Sequence, residues 1–313
     1  MHTRPLGNSD LQITPLGFGS WAAGGPWQFG WGPQDDAASI AALHRALESG
    51  MNWIDTAAVY GLGHSEKVVG KAVANRAGER PLIFTKCGMI WDAAGRIDYS
   101  LRRDSVRREC EASLHRLGVG SIDLYQMHWP ADEMEETLEG WSAMAELQRE
   151  GKVRWIGVSN CSTEELAALS AVAPITSLQP PYSLIKRQVE GDQLPWCGTH
   201  GVGTIVYSPM GSGMLTGGMT KDSIAKLVEG DWRKGNPEFQ EPKLSQNLAI
   251  TERLRLVGER HGRSPGEIAL AWVLRTPLVT GAIVGARNAA QVDGISRAAE
   301  LKLLPDEIAE IEG

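Results

Sequence analysis

The chain has 313 residues, 42% of them hydrophobic and 22% charged, a globular rather than a disordered balance that suits one barrel domain as well as two ordinary ones. Its net charge of −7 speaks against nucleic acid as a partner, because such binding rests on basic contacts to phosphate. No stretch approaches the roughly 20 apolar residues of a membrane span, and Met1-His2-Thr3-Arg4-Pro5-Leu6 lacks the apolar core of a secretory signal, so no membrane association is expected.

Residues 4–14 carry Gly7-Asn8-Ser9-Asp10 between two short mixed runs, a hairpin able to plug one end of a barrel. Leu16-Gly17-Phe18-Gly19-Ser20 is the first strand candidate. A glycine- and tryptophan-rich loop with Trp21, Trp27 and Trp31 then precedes a helix over 35–50, where Ile40, Leu43, Ala46 and Leu47 keep helical spacing. The pattern repeats from there: strand 52–56 with helix 65–77, strand 82–86 with helix 103–117, and strand 122–128 with helix 133–150. Strand 153–158 with helix 163–172, strand 175–179 with helix 187–199, and strand 203–207 continue it. After an irregular stretch at 208–243 come helices 245–262 and 265–275, strand 279–284 and helix 288–300.

Eight strands alternating with helices predict an α/β protein: a single (β/α)8 TIM barrel over 1–313, with an N-terminal hairpin and a long loop after the seventh strand. A doubly wound sheet is the alternative. No charge run or Ser/Pro tract marks a domain boundary. The 208–243 segment is too long for an idle connection, and its place after a strand makes it a candidate lid over the active-site face. Cys87, Cys110, Cys161 and Cys197 form no C-x-x-C pair, and the seven histidines show no H-x-H or H-E-x-x-H spacing. Reduced thiols, a cytoplasmic location and no metal centre are therefore expected, which disfavours a metal-dependent hydrolase.

Three apolar runs end on groups able to move or hold a proton: Asn52-Trp53-Ile54-Asp55-Thr56 leading to Tyr60, Leu82-Ile83-Phe84-Thr85-Lys86, and Ile122-Asp123-Leu124-Tyr125-Gln126-Met127-His128. In a parallel barrel those ends share one face, where barrel active sites lie. A phenol with an ordinary pKa of about 10 is a poor acid at neutral pH, but a nearby ammonium lowers that value and a carboxylate fixes the ammonium. Tyr60, Lys86 and Asp55 supply those parts, and His128 can orient a substrate carbonyl. The parts deliver a proton to a carbonyl oxygen and lack a hydride source, which a nicotinamide cofactor would bring. Gly17-Phe18-Gly19 and Gly211-Ser212-Gly213 fall short of the Rossmann fingerprint and read as turns.

The chain resembles the aldo-keto reductases from Leu16 to about Arg287. The resemblance is carried by Asp55-Thr56-Ala57 with Tyr60-Gly61 and Ser65-Glu66, the strand ending in Lys86, Leu124-Tyr125-Gln126-Met127-His128-Trp129-Pro130, Gly157-Val158-Ser159-Asn160, and 207–217. It implies a barrel with NADP(H) extended across its C-terminal face and a catalytic tetrad of Asp55, Tyr60, Lys86 and His128. It implies cofactor contacts from Gly19, Ser20, Trp21 and Asp55, a nicotinamide amide held by Ser159, Asn160 and Gln179, and a ring stacked on Tyr207. It further implies that Ser208, Pro209, Met210, Gly211, Ser212 and Leu215 hold the pyrophosphate, and that Gly285, Arg287 and Gln291 take the adenosine end, Arg287 pairing with the 2′-phosphate. The family's acid and asparagine after the glutamine are replaced by Gly294 and Ile295.

The substrate implied is a small-molecule aldehyde, ketone or sugar. Among Trp21, Trp27, Trp31, Trp91 and Trp129, the loop tryptophans expected on the catalytic face, Trp21 and Trp129 directly follow strand ends and are expected to wall the substrate site beside Tyr60 and His128. Arg96, Arg102 and Arg103 read as a solvated helix face. A cofactor-sensing binding subunit similar to the β subunits of potassium channels is the alternative reading, since those subunits resemble the chain at the tetrad as well.

Overall fold

The computed structural model describes residues 1–74, 76, 78–227 and 231–313. A two-strand antiparallel hairpin, β1 (Arg4–Pro5) and β2 (Gln12–Ile13), opens the chain. Ten more strands follow: β3 (Leu16–Gly19), β4 (Trp53–Asp55), β5 (Leu82–Cys87), β6 (Met89–Trp91), β7 (Ile97–Tyr99), β8 (Ile122–Met127), β9 (Val153–Ser159), β10 (Ser177–Gln179), β11 (Gly203–Val206) and β12 (Gly281–Gly285). Eight of them close in the order β3-β4-β5-β8-β9-β10-β11-β12 with every neighbour parallel, the eight-stranded TIM barrel expected from the alternation.

Helices α1 (Asp36–Glu48), α2 (His64–Ala74), α3 (Arg103–Leu117), α4 (Met134–Arg149), α5 (Thr163–Ser170), α6 (Gln193–His200), α7 (Lys221–Ala225), α8 (Lys243–His261), α9 (Pro265–Val273), α10 (Ala289–Asp293) and α11 (Pro305–Glu312) lie outside the strands in sequence order. Their ends follow local chemistry. Asp35 accepts the Ala38 N–H at the start of α1, and Ser162 with Glu165 and Ser264 with Glu267 form reciprocal boxes at α5 and α9. Gly118, Gly201 and Gly262 end α3, α6 and α8 in the left-handed conformation.

The hairpin is the plug expected of it. Leu6, Leu11 and Ile13 are buried in one cluster with the barrel-interior residues Trp53, Phe84, Leu124, Ile205 and Ile283. Gly7, at φ 54, lies so close to the chain entering β10 that a Cβ would stand 2.2 Å from the Thr176 carbonyl oxygen.

Several boundaries differ from the expected ones. The helix expected at 187–199 is split, because Asp192 accepts the Gln193 N–H and starts α6 afresh after a 3-10 turn at Gln188–Glu190. The helix expected at 288–300 stops at Gly294 and resumes as a 3-10 turn, Ser296–Glu300. The 208–243 segment is built from short helical turns, Gly211–Thr216, α7, Trp232–Gly235 and Pro237–Phe239, with 228–230 outside the described residues. Residues 75 and 77 of the helix expected at 65–77 also lie outside them. The β6–β7 hairpin and α11 are additions. Asp92 folds the hairpin turn by accepting the Ala94 and Arg96 N–H groups, with Gly95 at φ 77. All four cysteines are free and buried, and among the described residues no helix is long and apolar enough to cross a membrane.

Candidate active site

Parallel pairing sets the C-terminal ends of β4, β5 and β8 side by side, so the groups carried there converge. Asp55 and Lys86 are buried, at 2% and 1% exposure. Lys86 Nζ donates to Asp55 Oδ1 at 2.5 Å, to the Thr56 carbonyl at 2.9 Å and to the Tyr60 hydroxyl at 3.4 Å. Asp55 Oδ2 accepts from Gln179 Nε2 at 2.9 Å and from Gln126 Nε2 at 3.2 Å. The carboxylate is thus held from three other strands, β5, β8 and β10, and its pairing offsets the cost of burying the ammonium.

Tyr60 stands on the turn before α2. Gly61, at φ 60, packs so tightly on the first loop that a Cβ would come 2.1 Å from the Gly24 carbonyl oxygen. That approach sets Trp21 against Tyr60, with centroids 5.4 Å apart and planes at 30°, and Trp27 at 6.0 Å. His128 follows β8, its N–H donating to the Cys87 carbonyl at 3.0 Å and its ring meeting Tyr60 edge-on at 5.8 Å.

The electrostatics correct one expectation. Burial, and after it the Asp55 charge, push the Tyr60 phenol well above its ordinary pKa instead of below it. Burial outweighs the Lys86 ammonium, 3.4 Å from the hydroxyl, because that charge is already matched by Asp55 at 2.5 Å. Burial pulls Lys86 itself down, with Asp55 acting in the opposite sense. Burial and then the Lys86 charge push His128 well below its ordinary value, so the imidazole is neutral at pH 7.

Around this centre the remaining residues fall as follows. Gly19 ends β3 where a Cβ would meet Ile283 at 2.6 Å. The Ser20 hydroxyl is 2.8 Å from that of Ser65 and 3.2 Å from the Asp55 carbonyl, so it ties strand ends together. Ser159 Oγ donates to the Gln179 carbonyl at 2.7 Å. Asn160, at φ 61, donates to the His128 carbonyl and to Ser159 Oγ, and accepts from the Tyr207 hydroxyl at 2.9 Å. Gln179 gives its amide N–H groups to Asp55 and Gln126, leaving its carbonyl oxygen as the end available to a ligand.

The chain after β11 turns sharply, with Ser208, Gly211, Ser212 and Gly213 at φ 52, 58, 55 and 96. A Cβ at Gly211 would come 2.7 Å from Ile185, so glycine lets this cradle close. The N–H groups of Gly211, Gly213 and Leu215 are committed to the Ser208 and Met210 carbonyls, and the Leu215 side chain is buried in the core. Proline 209 has no N–H to give, and the half-buried Met210 packs on the core. Phosphate-facing donors are therefore fewer than the expectation over 208–215 allows.

At the far end, Gly285 is exposed, Gln291 Oε1 accepts the Arg287 N–H at 2.7 Å, and Arg287 lies against Pro33 and Gln34. Trp129 is 43% exposed. Trp31 lies 5.2 Å from the Arg233 guanidinium and Trp91 lies 5.8 Å from that of Arg116. Trp21 and Trp27, rather than Trp21 and Trp129, are the tryptophans in ring contact with Tyr60. Arg96 and Arg103 pair with Asp92 and Glu146. Sequence reasoning missed Gln126, whose only signal is an amide inside a largely apolar strand run, and Gln34, which carries none.

A parallel barrel whose C-terminal face joins a buried lysine–carboxylate pair, a protonated phenol and a neutral imidazole has the parts to hand a proton to an oxygen. The chain belongs to the aldo/keto reductase family, whose profile matches residues 15–313. It is an oxidoreductase of carbonyl compounds in a family that uses nicotinamide cofactors. It is 36% identical over 302 residues to the aldo-keto reductase YhdN of Bacillus subtilis, covering 95% of this chain and 88% of that one. It is 32% identical over 304 residues to the NADH-specific methylglyoxal reductase of Escherichia coli, covering 92% and 90%. The glycerol dehydrogenase AKR11B4 of Gluconobacter oxydans superposes with a TM-score of 0.89 at 35% identity, covering 99% of this chain and 94% of that one.

Proposed function

We propose that the chain is an NADP(H)-dependent oxidoreductase that interconverts an aldehyde, ketone or sugar carbonyl and its alcohol, with Tyr60 as general acid in reduction and general base in oxidation. The observation that carries the reading is Lys86 Nζ standing between Asp55 Oδ1 at 2.5 Å and the Tyr60 hydroxyl at 3.4 Å. A bound reduced nicotinamide supplies the hydride. Tyr60, kept protonated by burial, donates its proton to the substrate oxygen as that oxygen gains charge. The adjacent ammonium stabilises the phenolate left behind, and Asp55, Gln126 and Gln179 keep that ammonium in place. Neutral His128 donates a hydrogen bond to the same substrate oxygen, and Trp21 and Trp27 form an apolar wall beside it, to which Trp129 can add.

The donor set suits a dinucleotide. Ser159, Asn160 and the Gln179 carbonyl would hold the carboxamide, Tyr207 the ring, and the left-handed turn at 208–215 the pyrophosphate. Gly19, Ser20 and Trp21 would border it, and Gly285, Arg287 and Gln291 would hold the adenosine end. The Escherichia coli relative is named NADH-specific, so the preference for NADP(H) rests on Arg287 in this chain. Two relatives are named for methylglyoxal and glycerol, which puts small oxygenated carbonyls first on the substrate panel.

The test is NADPH oxidation with methylglyoxal, glyceraldehyde, aryl aldehydes and aldoses, repeated for Tyr60→Phe. The variant should bind NADP⁺ like the wild type and turn over about 10²–10⁴-fold more slowly. Undiminished turnover in Tyr60→Phe refutes the mechanism, and tight binding without wild-type turnover on any substrate favours a cofactor-sensing subunit.

A further inference from the structure

Arg287, just beyond β12, is clasped by the segment that leads into α1. Its Nε donates to Gln34 Oε1 at 2.8 Å and its Nη2 to the Pro33 carbonyl at 2.5 Å. Gln34 Nε2 donates in return to the Arg287 carbonyl at 2.9 Å, so one amide grips both the side chain and the backbone of the same residue. The grip is anchored, since Asp35 beside it caps α1 and Arg45 of α1 pairs with Asp293 of α10 at 2.6 Å.

The partners of this guanidinium are all neutral. Among the described residues Arg80 and Arg154 share Asp123, Arg116 meets Glu66 and Arg233 meets Asp231, whereas Arg287 makes no ion pair with a carboxylate. A carboxylate at position 34 would orient the fork and cancel its charge. An amide orients it and leaves the charge for a ligand. An arginine fixed in advance also gives up less side-chain freedom when a dianion arrives, and its remaining nitrogen, Nη1, offers N–H donors to phosphate oxygens.

We propose that Gln34 is the specificity-determining positioning residue for the dinucleotide, aiming Arg287 at the 2′-phosphate that distinguishes NADP(H) from NAD(H). The proposal rests on the reading of this face as an NADP(H) site. It assigns a role in cofactor choice to the loop that also carries Trp21, Trp27 and Trp31, and it makes Gln34 act through Arg287.

The experiment uses two adenosine fragments that need no turnover, 2′,5′-ADP and 5′-AMP, titrated calorimetrically into the full chain. The wild type should bind 2′,5′-ADP more tightly than 5′-AMP. Gln34→Glu, which sets a carboxylate on the guanidinium, should cut the ratio of the two affinities about tenfold, and Gln34→Ala, which only frees the arginine, about threefold. The 5′-AMP affinity of each variant reports an intact fold, so only the ratio is read. Wild-type binding that does not discriminate between the fragments overturns the NADP(H) reading and this proposal with it. If Arg287→Ala loses discrimination while both Gln34 variants keep the wild-type ratio, the role of Gln34 falls and the NADP(H) reading stands.

Discussion

A buried lysine, carboxylate and phenol coexist here because each charge has a partner, both carboxylate oxygens accept hydrogen bonds and the phenol oxygen accepts one from Lys86. Removing one member would strand the other; a lone buried Asp55 is the costly state, on the order of 3–5 kcal/mol. His128 follows a different rule. Its folded pKa is depressed, so below about 6.5 the unfolded chain takes up a proton that the native site refuses. Its stability contribution is present above that pH and lost as the pH falls. Glu109 on α3 runs the opposite way. Its Oε2 accepts the Gly88 N–H at 3.0 Å, and burial pushes its carboxyl up to about 7. A raised carboxyl contributes stability that is full below its ordinary 4.5 and is lost as the pH rises through about 7. Glu109→Gln keeps an acceptor for Gly88 and removes the charge. It should stabilise the protein by about 1–2 kcal/mol at pH 8.5, the full shift being discounted for residual solvent contact, and give no gain at pH 5. Urea midpoints at the two pH values check this, and an equal gain at both would show that charge burial is not the cause. The proton-handling residues were legible in the sequence because each follows an apolar strand run. The grip of Gln34 on Arg287 was not, because the partners are 253 positions apart and neither sits in a motif that names the other.

Among the elements, the segment after β11 is the one whose motion the site should feel. Its Arg233 is 13% exposed and oriented by Asp231 at 2.7 Å. The guanidinium lies 5.2 Å from the Trp31 ring of the first loop and donates to the Ser212 carbonyl at 3.4 Å. One side chain therefore joins the two loops that border the proposed dinucleotide path. A cation–π contact of this kind is worth about 0.5–2 kcal/mol. Arg233→Ala should speed NADP⁺ release about threefold to tenfold, read by stopped-flow quenching of tryptophan fluorescence, with a smaller effect on association. An unchanged release rate would mean that the segment does not gate the cofactor. That the segment is a run of short helical turns was hidden in the sequence. Its turns are fixed by contacts such as Thr251 Oγ1 to the Met214 carbonyl at 3.1 Å, which reach in from α8 rather than from neighbours in the chain.

For the molecule as a whole, barrel closure was readable because alternation of strand and helix leaves few topologies once crossovers are parallel. The β6–β7 hairpin and α11 escaped because three-residue strands give no period to detect, and because Pro305 with Ile308 and Ile311 is a short signal at the chain's end. What the alternation could not reveal is how the barrel interior is filled. Trp53 occupies it as a flat wedge, its ring tilted 31° against Phe84 at 5.2 Å and pinned by Nε1 donating to the Thr14 carbonyl at 2.9 Å. It fits because the strands beside it carry glycine: a Cβ at Gly17 would stand 2.0 Å from its ring, and one at Gly281 would stand 3.0 Å away. Gly17→Ala therefore meets an aromatic ring that has no room to yield, in the cluster where the hairpin plug meets the strands. The expected cost is about 3 kcal/mol, a fall in melting temperature on the order of 5–10 °C, with circular dichroism and tryptophan fluorescence changing together. Gly118→Ala is the comparison, since no atom lies within 4 Å of its Cβ position and only the left-handed strain of φ 67 remains, about 1 kcal/mol. Equal melting temperatures for the two variants would mean that the Trp53 wedge tolerates displacement and that the plug is not what ties the strands into one cooperative unit.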